Sequence, residues 1–434
     1  MPGALTHVTS PHPVRLVVSD DLQRSRLTVL FRLLLAIPHL IWVLLWTIAA
    51  VAAAIVNWFA TLLAGRSPSA LHRFLAAYLR YWTHLGAYLG LAANPYPGFT
   101  GGDAYPIDLE IDGPAVQRRL VTLFRIVLAV PALLFAGAFA AGEGSFRSGQ
   151  RAGSVAWSAS GGIAWTVAIL AWFAILAVAR MPLGLRDLQA YGLRFVAQAL
   201  AYFLLLTDRY PNFDPADPPS TGPSHRVRLA VGDDLRRSRL TVFFRLLLAL
   251  PHLVWLVLWG VAAIVALIAM WLATLFRIDR ADVRFSTPPQ SLFRFVAAYL
   301  RYAYHVQAFI FLTANPFPGF TGAAGSYPVD AELPGPERQA RLVTLFRLLL
   351  AWPAVAISGS LYALAFLAAF FGWFVALFLG RMPRSLRDAQ AYVLRYGLQT
   401  GAYFCLVTDR YPFSGPALEE PEPPAEPLET AAAA

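Results

Sequence analysis

The chain has 434 residues, of which 58% are hydrophobic and only 14% charged, too few polar groups to cover a water-soluble globule of this size. Its net charge is +10, and the sequence holds no lysine, so all 35 basic residues are arginine. In a membrane solvent that excess reads as positive-inside anchoring and contact with anionic headgroups rather than nucleic-acid binding, and the single cysteine, Cys405, excludes an internal disulfide or a cysteine-based metal cluster.

Met1–Arg26 is polar and Pro-containing, without the basic start and short apolar core of a cleavable signal, and residues 1–13 read as a disordered N-terminus. A cytoplasmic location is expected for it. From Val14 a repeat begins: Val14–Trp46 recurs as Val227–Trp259 with 25 of 33 positions identical. Each half holds an inner copy, since Arg118–Pro131 and Arg338–Pro353 echo Arg26–Pro38. The later parts also recur, and they end in the phrases NPYPGF, DRYPNF, NPFPGF and DRYPFS. The expected domains are therefore repeats at 14–99, 105–213, 226–320 and 327–413. A Pro/Asp/Ser-rich linker at 214–225 and a disordered acidic, Pro-rich tail at 414–434 complete the chain.

Every repeat opens with an alternating segment: Val14–Val18, Ile107–Ile111, Val227–Val231 and Val329–Leu333. Period-two alternation predicts half-buried strands in a small sheet outside the bilayer. Odd repeats place Arg15 and Arg228 on the polar face, and even repeats place Asp108, Glu110, Asp330 and Glu332 there. Opposite charges favour pairing odd with even.

An apolar run follows, such as Leu27–Ala64, which as one helix would extend about 55 Å. Repeat 2 interrupts it with the polar segment 142–162, and repeat 4 has Ser358, Gly359 and Ser360 there. A polar break fits a transmembrane hairpin of two crossings. The competing reading is an interfacial helix, a bend at the proline and one crossing. Arg66, Arg180, Arg277, Arg280 and Arg381 in the next loop mark it as cytoplasmic.

The next helix is amphipathic and expected at the interface. Arg73, Arg80 and His84 recur as Arg294, Arg301 and His305, and in even repeats as Asp187, Arg194, Gln198 and Asp388, Arg395, Gln399. Offsets of 7 and 11 place these side chains on one helical face. An arginine at membrane depth must pair, snorkel or line water, so Arg73, Arg80, His84, Arg194, Gln198, Arg294, Arg301, His305, Arg395 and Gln399 are the candidate ligand- or partner-binding set. The bland alternative is that Arg73 and Arg294 answer Asp187 and Asp388, docking repeat against repeat. Arg32, Arg125, Arg245 and Arg347, each six residues before a proline, are expected as anchors at headgroup level. His39 and His252 after the proline, and His84 and His305 on the stripe, all lack nearby carboxylates at ligand spacing and read as packing or interfacial histidines, and no metal or other cofactor is expected. Asn94, Asp208, Asn315 and Asp409 read as residues that cap and turn the chain.

The RLTVLFRLLLAIP core, the RFLAAYLRY helix and the NPYPGF phrase together resemble the DUF4389 family of uncharacterised bacterial membrane proteins. The resemblance covers nearly the whole chain outside the linker and tails, as four tandem units. It implies a membrane protein and supplies no catalytic residue. No GxSxG, P-loop, HExxH or CxxC constellation occurs.

The fold class expected is thus mainly α and integral to the membrane: four units of strand, apolar hairpin and amphipathic helix, with a small extramembrane sheet. The expected function is a non-catalytic, multi-pass scaffold of the cell membrane, both termini cytoplasmic, with the bilayer and a cytoplasmic protein as partners. An anion channel lined by Arg80, Arg194, Arg301 and Arg395 is the alternative, and a lipid-acting enzyme ranks third.

Overall fold

The computed structural model describes residues 12–102, 104–140, 162–215, 225–276 and 284–416. Residues 142–161, Arg277, Arg280, most of the linker and the acidic tail lie outside them. The chain divides into two compact units: Met1–Gly222 with Pro353–Phe371 and Ser414–Pro416, and Pro223–Trp352 with Gly372–Phe413 and Ala417–Ala434.

The first unit opens with β1 (Val14–Val18), the short helices α1 (Arg26–Leu30) and α2 (Arg32–Leu35), the long α3 (Ile37–Ala64) and the amphipathic α4 (Ser69–Leu89). The same order returns as β2 (Ile107–Ile111), α5 (Arg119–Leu123), α6 (Arg125–Ala140), α7 (Ile163–Val178) and α8 (Leu183–Phe203). The strands pair antiparallel with Leu16 opposite Leu109 and Arg15 opposite Glu110. Alternation puts Val14, Leu16, Ile107 and Leu109 into the core, while Arg15 reaches Glu110 at 3.3 Å and Asp112 at 3.0 Å on the outer face. The odd-with-even pairing inferred from charge is present.

The second unit contains β3 (Arg228–Val231), α9 (Arg239–Phe243), α10 (Arg245–Phe276), β4 (Phe285–Ser286) and α11 (Gln290–Ile310). There follow β5 (Val329–Glu332), β6 (Gln339–Ala340), α12 (Arg341–Leu379) and α13 (Arg384–Phe404); the middle of α12 belongs to the first unit. Here β3 pairs antiparallel with β5, Arg228 opposite Glu332. A two-residue ladder joins β4 to β6.

The expected apolar hairpins are not formed in α3, α10 or α12, each of which is one uninterrupted helix. Three helices, Arg32–Ala64, Arg245–Phe276 and Arg341–Leu379, are long and apolar enough to cross a membrane. In α12 the polar pair at 358 and 360 does not break the chain, because Ser360 donates back to the Ala356 carbonyl. Pro251 and Pro353 likewise lie inside helices that continue through them. Reversal comes later, at Gly65 and Gly380, whose positive φ values of 74° and 68° end α3 and α12. A proline then starts each amphipathic helix: Pro68, Pro182, Pro289 and Pro383 are the N-cap residues of α4, α8, α11 and α13.

Each unit is layered. One face of α4 packs on α3, where the Tyr78 hydroxyl meets Thr47 at 2.9 Å and the Tyr81 hydroxyl meets His39 Nδ1 at 2.8 Å. The opposite face meets the sheet, where Arg80 Nε donates to the Leu109 carbonyl at 3.0 Å. In the second unit Tyr302 meets His252 at 2.7 Å, and Arg301 donates to the Ala331 carbonyl at 3.0 Å. α8 packs alongside α4, with Leu193 filling the space above Gly86 so closely that a Cβ there would lie 2.9 Å away.

Candidate functional site

Two sets of buried polar groups recur. The first is built on Arg32, Arg125, Arg245 and Arg347. Each side chain is buried, at 1–3% exposure, so these residues are not headgroup anchors. The guanidinium turns inward because the following amphipathic helix ends beside it, leaving carbonyls that need donors.

Arg32 donates to the carbonyls of Tyr88 at 2.7 Å and Ala93 at 2.9 Å, and lies 4.3 Å from the centre of the Tyr88 ring. Arg245 repeats this with the carbonyls of Phe309 and Ala314 and the Phe309 ring. Arg347 takes the carbonyls of Tyr403 and Thr408, adding Asp409 and Gln339 at 2.6 and 2.7 Å. Arg125 holds the Thr207 carbonyl and Gln117, over the Tyr202 ring. A planar fork of donors suits this; an ammonium group does not.

The turns so held are strained. Leu91, Leu205, Leu312 and Leu406 adopt φ of 60–63°, the left-handed region that bulky residues avoid. All four are buried. Burial and the clamp together stabilise a conformation that would cost about 1–2 kcal/mol in isolation.

The second set lies between the amphipathic helices and the sheets. His84 Nε2 meets Asp108 at 2.7 Å, and His305 Nε2 meets Asp330 at 2.6 Å. Burial alone would push the Asp330 carboxyl up; hydrogen bonds from His305 and from the backbone N–H groups of Gly325 and Ala331 outweigh it and hold it below the usual carboxylate range. Tyr105 and Tyr327 stack near the two imidazoles and donate to the carbonyls of Pro95 and Pro316, both at 2.8 Å. Burial pushes both phenols up, keeping them donors.

In even repeats glutamine replaces histidine: Gln198 Nε2 donates to the Val14 carbonyl at 2.9 Å, and Gln399 Nε2 to the Val227 carbonyl at 3.2 Å. Their Oε1 atoms accept from the backbone N–H of Asn212 and Phe413. The stripe therefore ties helix to strand. Arg194 donates to the Asp214 carbonyl at 2.6 Å, and Arg395 lies 5.4 Å from the Tyr392 ring centre.

Arg73 and Arg294 stand apart, exposed to solvent. They do not answer Asp187 and Asp388. Those carboxylates pair at 2.6 Å with their own helix neighbours, Arg186 and Arg387, and burial still raises the Asp187 carboxyl. The sequence reading missed Tyr88, Tyr202, Phe309 and Tyr403 as platforms, and Asp108 and Asp330 as histidine partners. The available signal was the fixed recurrence of an aromatic residue six before the Asn or Asp of each terminal phrase.

The side chains of His84 and His305 are 2% and 0% exposed, and a general base needs contact with the proton it takes. Among the described residues no group of three His, Cys, Asp or Glu could hold a metal ion.

No curated protein and no solved structure matches the chain. A family model described as "Domain of unknown function (DUF4389)" matches residues 26–100, 153–214 and 341–414, regions that carry Arg32, Arg347, three of the four amphipathic helices and three of the terminal phrases. On those three matches the chain belongs to the DUF4389 family.

Proposed function

We propose that the protein is a membrane-bound, non-catalytic scaffold, whose four repeats build two pseudo-symmetric modules. The observation that carries this is where the polar side chains go. Arg32, Arg245 and Arg347 hold helix ends, and Arg80, His84, Arg301 and His305 hold strands. Each of these side chains is engaged in holding its own module together, which supports a structural role over an anion-conducting ring or an acid–base site.

Outward, the long helices present Leu33, Leu44, Ile48, Leu247, Val257 and Phe370 among many exposed apolar side chains. A surface this continuous is matched by lipid acyl chains. The charged sheets, with Arg15, Glu110 and Glu332 facing outward, form the polar side available to a protein partner.

Reconstitution tests the proposal. Full-length protein added to vesicles of phosphatidylcholine and phosphatidylglycerol is expected to float with the lipid and to leave chloride flux at the level of protein-free vesicles. Flux above that level, abolished by Arg80→Ala, would replace the scaffold with a channel.

A further inference from the structure

The long helices are able to cross a bilayer by length and composition, but their neighbours constrain how they sit. Thr47, bonded to Tyr78 of α4, lies at the midpoint of the 33-residue helix Arg32–Ala64. Two residues along α4, on its opposite face, Arg80 holds the Leu109 carbonyl, and Leu109 pairs with Leu16 at the centre of the β1–β2 sheet. The sheet thus stands over the middle of the long helix, one helix layer away, at about 20 Å.

Its outer face carries Arg15 and Glu110, with side chains 37% and 57% exposed. Were Arg32–Ala64 to run along the membrane normal, this ion pair and the open edges of a two-stranded sheet would stand at the depth of the bilayer centre. Hydrocarbon tolerates neither.

The second unit shows the same relation independently. Gly260, at the middle of Arg245–Phe276, packs against the Tyr299 hydroxyl, and a Cβ there would lie 3.0 Å from it. Arg301, two residues on, holds Ala331 at the centre of β5, beside the exposed Glu332.

Length points the same way. The 39 residues of α12 extend about 58 Å, nearly twice a hydrocarbon core of about 30 Å, and the exposed apolar residues continue from Leu342 to Leu379.

We infer that the apolar face of α3, and separately that of α10, lies in the plane of a membrane leaflet, seating each module on the membrane without crossing it, with its sheet toward water. This rests on the proposed membrane attachment and specifies its geometry. The occupant is the outer half of an anionic phospholipid leaflet. Leu27, Ile48 and Leu63 mark the face in the first unit, and Leu246, Val257 and Ile268 in the second, all more than half exposed. Trp42 and Trp255 give their indole N–H to the carbonyls of Phe99 and Phe320, leaving the partly exposed rings to the lipid boundary. The net charge of +10 favours anionic headgroups around this surface.

Depth measurement decides it. Spin labels are placed at Leu27→Cys, Ile48→Cys and Leu63→Cys, one at a time, in the full chain carrying Cys405→Ala, with Glu110→Cys as the sheet reporter. Vesicles of phosphatidylcholine and phosphatidylglycerol are the probe, and circular dichroism checks each variant; Leu246→Cys, Val257→Cys and Ile268→Cys form an independent set. The expected result is one common depth, about 5–10 Å below the headgroups, with the sheet label in water. A label at 48 near the bilayer centre, with those at 27 and 63 near opposite surfaces, overturns in-plane seating while keeping membrane attachment. No lipid contact at any position overturns both.

Discussion

His305 and Asp330 meet at 2.6 Å between α11 and β5, as His84 and Asp108 meet at 2.7 Å between α4 and β2. Asp330 accepts from the ring and from two backbone N–H groups. Asp330→Asn removes a charged acceptor and leaves the ring facing an amide. The expected loss is about 1.5–3 kcal/mol, read as a lower midpoint of denaturant unfolding. An unchanged midpoint would show that the pair does not hold the sheet.

The same carboxylate sets an acid limit. Its folded pKa is depressed, so its contribution is fully present above the unfolded value of about 4 and is lost as pH falls through the folded value. Wild-type stability is expected to fall on acidification below about pH 4 more steeply than that of Asp330→Asn. Parallel profiles for the two proteins would remove Asp330 from the acid response.

The arginine clamp demands a fork. Arg347→Lys keeps the charge but cannot reach the carbonyls of Tyr403 and Thr408 together with Gln339 and Asp409. We expect a loss of about 2–4 kcal/mol, because buried acceptors are left without donors. Equal thermal stability of Arg347→Lys and wild type would reduce the clamp to a charge effect.

Gly322 marks a close approach of backbones. Its φ is +59°, and a Cβ would collide with the Ala298 carbonyl oxygen and come within 2.9 Å of the Tyr302 Cβ. Gly322→Ala is expected to destabilise by more than about 2 kcal/mol. Gly319→Ala, where a Cβ meets nothing within 4 Å, is the control and should be close to neutral.

The outer ion pairs of the sheet matter less. The Arg15 and Glu110 side chains are 37% and 57% exposed, so Arg15→Ala should cost under about 1 kcal/mol, and the difference should fade in molar salt. A loss comparable to that of Arg347→Lys would mean that this face is covered by a partner.

Much of this protein was legible in its residues. The repeat of Val14–Trp46, the alternation of the strands and the sign of Arg15 against Glu110 determined an odd-with-even sheet, because strand periodicity and Coulomb pairing are local rules. Apolar runs without carboxylates determined helices but not their length, since the polar pair at 358 and 360 suggested a hairpin where α12 runs on as one helix. Tertiary structure decided where the buried charges turn. Nothing local distinguishes an arginine that reaches a headgroup from one that reaches a helix end, and only the return of α4 beside α3 brings the Tyr88 carbonyl to Arg32. Asp108 likewise alternates as an outward strand residue, until the packing of α4 places His84 beside it. The sequence determined the elements and their charges; the antiparallel return of each amphipathic helix decided their partners, because hydrogen bonds act over about 3 Å and that proximity is made by the fold.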